Sequence, residues 1–228
     1  MSHSSERRLS TGGKPPVRIR QRYMVERVPS HDSTPCFTAW PCNEILQIPQ
    51  GWSASDFTTD NERPQRSIQI YDTTPGADNL DHLKHLVETL HSETDEERQV
   101  QDRGRPNRLD LWGMPLPSDT NTQTRIEKCI AHMSAEIAWR NTVENFEFEI
   151  SPICSRDKWG RALLIIDRPE ERWSQDDGGF VAVFWDANET WSETHAIRAD
   201  TGNEELEVNR YSRNELDGVL LNFWLGIS

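Results

Sequence analysis

Two short apolar runs constrain this chain more than any other feature of its sequence. Residues 162–166 read Ala-Leu-Leu-Ile-Ile, and residues 181–185 read Val-Ala-Val-Phe-Trp. Each has the length of a strand and is bounded by turn-forming residues, with Asp176-Asp177-Gly178-Gly179 between them. The first run does not alternate apolar with polar side chains, so both of its faces need cover. Cover of that kind implies a layered domain built around a sheet.

The helices that supply it are legible from their periodicity. From Asp78 to about residue 92, Leu80, Leu83, Leu86, Val87 and Leu90 recur at spacings of three and four, which makes one apolar stripe. Asp78 is the expected N-cap. A second helix is expected over residues 122–145, with Ile126, Cys129, Ile130, Met133, Ile137, Trp139 and Val143 inward. Further strands are expected at 67–71, 146–150, 191–198 and 206–210. Ser212-Arg213-Asn214-Glu215 has capping-box spacing and opens a final helix with Leu216, Val219, Leu220, Phe223 and Trp224 inward. The fold class is therefore α+β (mixed α/β), with helices packed on a mostly antiparallel sheet.

Composition divides the chain. Only 34% of residues are hydrophobic, too few for a core that runs its full length. Residues 1–30 read as a flexible basic arm. Within it, 17–23 alternate apolar and basic side chains, which permits a strand. Residues 31–76 read as an irregular Pro-rich segment, because seven Pro and Gly residues interrupt it. Residues 77–228 read as a single α+β domain anchored by large aromatic side chains.

Charge and motifs narrow the function. The formal net charge is −13, which disfavours a general duplex-DNA binder, since counterion displacement needs basic surface. Nucleic acid could be met only through the N-terminal arm, and a protein partner is the other expectation. The acidic surface would steer a basic protein. The N-terminal residues hold no apolar segment of the secretory type. The longest apolar runs fall far short of a bilayer span. A cytoplasmic or nuclear location and no membrane association are expected. No P-loop, no strand-following GxGxxG and no GxSxG elbow occurs. The four cysteines form no CxxC pair.

Three sets of residues are chemical candidates. His82 and His85 lie three apart on the first helix among Asp78, Asp81 and Glu88, a spacing that can hold zinc or simply face solvent. Asp167 and Asp186 close the two apolar strands, where they could share a magnesium or manganese ion. Turns favour Asp for ordinary reasons as well. The third set lies on the second helix, which carries Cys129 and then Ala135-Glu136-Ile137-Ala138-Trp139-Arg140-Asn141-Thr142-Val143.

This stretch resembles a helix of fungal PD-(D/E)xK nuclease-like proteins, in which a Glu precedes a Trp by three residues and a Val by seven. The match covers about 15 residues. Arg140 and Glu144 replace the Asn and His of that pattern. The resemblance implies a nuclease-like scaffold with Glu136 as the helix acid and Asp167 as the strand acid. It also implies a magnesium or manganese ion bound by Glu136 and Asp167; with the strand-end Asp186, the candidate metal set is Glu136, Asp167 and Asp186. The acid-x-Lys element of that class has no counterpart here. Lys158, in Arg156-Asp157-Lys158, lacks the strand context. A scaffold that contacts nucleic acid or a protein partner without full catalytic machinery fits better, because the missing Lys removes charge stabilisation of the attacking water. An acidic accessory or inhibitor module is the alternative.

Overall fold

A computed structural model describes residues 6–9, 15–57, 67–101, 108–142, 162–175, 178–185, 206–216 and 218–220. Its centre is an eight-stranded sheet. In chain order the elements are β1 (Glu6–Leu9), β2 (Val17–Val28), β3 (Cys36–Gln47), β4 (Ser67–Asp72), α1 (Leu80–Gln101), β5 (Arg108–Gly113), α2 (Thr122–Thr142), β6 (Ala162–Ile166), β7 (Phe180–Trp185) and β8 (Leu206–Tyr211). The spatial order is β1-β2-β3-β5-β4-β6-β7-β8. β4 runs parallel to both β5 and β6, and every other neighbouring pair is antiparallel. The fold is thus α+β with a mostly antiparallel mixed sheet.

The apolar runs explain this centre. β6 buries Leu163, Leu164, Ile165 and Ile166 because it has a helical layer on each side. Leu164 and Ile166 point into one core with Ile68, Ile70, Leu109, Leu111 and the α1 residues Leu83, Leu86, Val87 and Leu90. Leu163 and Ile165 point into the other, with Tyr71, Trp112 and the α2 residues Ile126, Cys129, Ile130 and Met133. Each such side chain contributes about 1.5–3 kcal/mol by leaving water. Leu216, Val219 and Leu220 join the α1 core. The Ser212–Glu215 capping box forms, and it opens a 3-10 turn.

The start of α1 differs from the sequence expectation, whereas α2 begins at Thr122 as expected. Asn79, rather than Asp78, caps α1, since its Oδ1 accepts the Asp81 and His82 N–H groups. Leu80 is exposed, and α1 continues to Gln101, past the expected end near residue 92. Asn121 caps α2 by accepting the Thr124 N–H. The expected strands at 146–150 and 191–198 lie outside the described residues, as do Phe223 and Trp224.

The segments marked by composition as an arm and an irregular stretch contribute strands to the same sheet. β2 pairs with β3 from Arg18 to Val28, so from Val17 onward the expected flexible arm is strand. Arg22 there forms an ion pair with Glu44 at 2.6 Å. Pro41 lies in β3 past Ala39, where pairing to β5 ends, so on that side it removes no ladder hydrogen bond. The boundaries expected at residues 30 and 76 fall within one continuous sheet because cross-strand pairing outweighs local turn propensity.

β4, β5 and β6 end at a common edge. There the Thr73 N–H donates to the Ile166 carbonyl and the Met114 N–H to the Asp72 carbonyl, both at 2.8 Å. β3 begins opposite Trp112, so the β2–β3 hairpin loop meets that edge too. The Gly113 N–H holds it by donating to the Pro35 carbonyl at 2.8 Å. Open α/β sheets bind their ligands outside the carboxyl ends of the parallel strands.

Candidate metal centre

Two elements supply the site. The β2–β3 loop supplies His31 and Asp32, and α2 supplies His132 and Glu136, which share one helix face at a spacing of four. One ligand atom from each of the four lies within 4.8 Å of all the others.

The loop is shaped locally. The Asp32 carboxylate accepts the Thr34 N–H at 2.9 Å, an Asx turn. The Ser30 hydroxyl donates to the Thr34 carbonyl at 2.8 Å. Ser33, with φ of 71°, makes the left-handed step that reverses the chain. α2 is fixed at its start by Arg125. Its guanidinium donates to the Thr73 carbonyl at 2.9 Å and to Pro117 at 3.1 Å.

Glu136 is fully buried and faces His31, accepting both the backbone N–H of that residue and its ring Nδ1, the latter at 2.8 Å. His132 stands over Tyr71 and Trp112, with ring centroids 5.6 and 5.1 Å away. Its Nδ1 is 3.0 Å from the Tyr71 hydroxyl. Among the described residues, its Nε2 is buried without a hydrogen-bond partner. The nearest charged atom is Asp32 Oδ1 at 3.5 Å, too far for a good hydrogen bond. The other imidazole presents Nε2 to Asp32 Oδ2 at 3.8 Å.

Burial pushes the pKa of His132 below its ordinary value, against the opposing pull of Asp32 and Glu136. The ring is therefore neutral near pH 7, with a lone pair to give. Burial pulls Asp32 upward, but hydrogen bonds from Thr34 and the two nearby imidazoles outweigh it, so its carboxyl titrates below the usual value and stays ionised. Burial raises the Tyr71 phenol well above its ordinary range, which keeps it protonated. A neutral His132 and an ionised Asp32 are the protonation states that a divalent ion requires of such ligands.

The expected site residues separate. Glu136 is in the cluster. Asp167 is not: Arg210 grips it bidentately at 2.9 and 2.6 Å, which is an ordinary use for a carboxylate at a strand exit. Asp186 lies outside the described residues. His82 and His85 reach different carboxylates, Asp72 at 3.1 Å and Glu170 at 3.5 Å. Cys36 and Cys129 are buried. Burial drives the Cys129 thiol far above its ordinary range, which makes it a poor nucleophile.

His31, Asp32 and His132 do not emerge from sequence reasoning. The spacing His132-x-x-x-Glu136 is a readable signal for paired ligands on one helix face. The adjacent His31-Asp32 pair is weaker, and nothing local joins the two. Comparison with protein-family models, with curated proteins and with solved structures finds no match. Among the described residues, no helix is long and apolar enough to cross a membrane.

Proposed function

We propose that this chain is a metalloprotein whose working site is a mononuclear divalent-metal centre formed by His31, Asp32, His132 and Glu136. One observation carries the reading: among the described residues, His132 Nε2 is buried, lacks a hydrogen-bond partner and faces an ionised carboxylate. A buried polar atom of this kind costs about 1–3 kcal/mol unless something satisfies it. A cation between Nε2 and Asp32 would satisfy it. Metal–ligand bonds of about 2.0–2.2 Å in tetrahedral geometry separate neighbouring ligand atoms by roughly 3.3–3.6 Å. The 3.5 and 3.8 Å separations here are close to that.

The donor set favours zinc, with manganese or ferrous iron next. Imidazole suits the later transition metals, whereas magnesium prefers oxygen ligands and retained water. The nuclease-like reading asks for Glu136 beside a strand acid and a lysine, whereas its neighbours are two histidines and a loop aspartate.

Zinc and manganese titrations by calorimetry, with metal content by mass spectrometry, test the proposal. Wild type should take up one equivalent, and His132→Ala and Asp32→Ala none. A wild type that binds neither ion stoichiometrically rules the centre out.

A further inference from the structure

The hydrogen bonds around the cluster assign different roles to its members. Each imidazole has two nitrogens, and one of each is already held. His31 Nδ1 lies 2.8 Å from Glu136 Oε1, which leaves Nε2 toward Asp32. His132 Nδ1 lies 3.0 Å from the Tyr71 hydroxyl, which leaves Nε2 toward the same Asp32. The two remaining nitrogens therefore converge on one carboxylate. Metal-binding histidines commonly donate the other ring N–H to a carboxylate or similar acceptor, which fixes the tautomer and raises basicity. Glu136 and Tyr71 stand in those acceptor positions. Glu136 is further committed to His31 through the backbone N–H.

Resting on the metal-centre reading above, we propose that three protein atoms hold the ion: Nε2 of His31, a carboxylate oxygen of Asp32 and Nε2 of His132. Glu136 and Tyr71 are positioning residues. The remaining coordination position opens to solvent and takes water or a small anion. The open side is that of Asp32, whose side chain is 44% exposed, against 4% for His132 and 0% for Glu136. Three protein ligands with one free position are the arrangement of catalytic zinc, whereas structural zinc is closed by four. The ligand class is set by the position itself: small anions, and the carbonyl or phosphoryl oxygen of a substrate that reaches the carboxyl edge of the sheet. Trp112, packed on His132, walls the inner side.

Cobalt(II) substitution in the full chain tests this, because visible absorption reports both occupancy and coordination. Wild type, Glu136→Gln and Tyr71→Phe should each take up one equivalent. The two variants should have dissociation constants raised about 10–100-fold. Asp32→Ala should take up none. Azide added to the cobalt-loaded wild type should shift its visible bands. If Glu136→Gln folds by circular dichroism yet loses stoichiometric uptake, Glu136 is itself a ligand and the assignment is overturned. Loaded wild type whose spectrum ignores azide has a closed site, which also overturns it. If Glu136→Gln does not fold, Tyr71→Phe and the azide titration decide the question alone. A wild type that takes up no cobalt fails the underlying metal-centre reading instead.

Discussion

Replacing His132 with Ala should abolish the stabilisation that a bound ion gives this fold. For wild type the gain follows from mass action. An ion at 100 times its dissociation constant stabilises the native state by about 2.7 kcal/mol. In a chain of this length 1 kcal/mol moves Tm by roughly 2–4 °C, so zinc should raise it by about 5–10 °C. His132→Ala acts twice. It removes a ligand whose Nε2 faces Asp32 at 3.5 Å. It also leaves the buried Tyr71 hydroxyl without its partner at 3.0 Å. The second loss costs about 1–3 kcal/mol in the metal-free protein, while deleting the unsatisfied Nε2 relieves a penalty of about the same size. Before any metal is added, the variant should therefore melt within about 8 °C of wild type. Zinc should then change nothing. Scanning calorimetry of both proteins, with zinc and with a chelator, separates the two effects. A zinc-dependent rise in the variant equal to that of wild type would refute the assignment of His132.

Three further outcomes follow from the same geometry. His132 is held below its ordinary pKa of 6.5 by burial, so the unfolded chain takes up that proton first. Its contribution is present above pH 6.5 and is lost as pH falls through the lower native value. Metal-free wild type should therefore lose stability below about pH 6.5, and His132→Gln should lose less; equal slopes in urea melts between pH 7.5 and 5.5 would count against this. Arg210→Ala breaks a part-buried bidentate pair with Asp167 and should cost about 1–2 kcal/mol in urea melts, with zinc affinity unchanged. A fall in affinity would return Asp167 to the site. Gly113→Ala places a Cβ against the Ala77 carbonyl and 2.6 Å from Leu83 Cδ1. Overpacking of that kind costs about 1–3 kcal/mol. Because the Gly113 N–H holds the loop at Pro35, zinc binding measured by calorimetry should weaken in parallel.

Four of the eight strands, β4, β6, β7 and β8, and both long helices were legible because their signals are local. The runs at 162–166 and 181–185 match β6 and β7, and Leu83, Leu86, Val87 and Leu90 of α1 and Ile126, Cys129, Ile130 and Met133 of α2 face the cores as their periodicity requires, whereas Leu80 is exposed. β2 was legible only in part, and β3 and β5 were not expected as strands. Basic residues and prolines look like arm and loop until pairing over eleven positions supplies their backbone partners. Helix starts were readable to within a residue, since Asp78 and Asn79 are both competent caps and packing chose between them.

The sequence by itself determined the layered α+β class, the places of both long helices and of half the strands, and the presence of Glu136 on α2. Those properties depend on spacings of two to four residues along one element. The tertiary structure alone decided that Glu136 meets His31, 105 positions away, that Asp167 meets Arg210, and that His132 is left with a buried nitrogen unpartnered among the described residues. Such pairings arise where β4 and β5 bring the loop of one hairpin against the face of a distant helix. Periodicity carries no record of contacts made between elements.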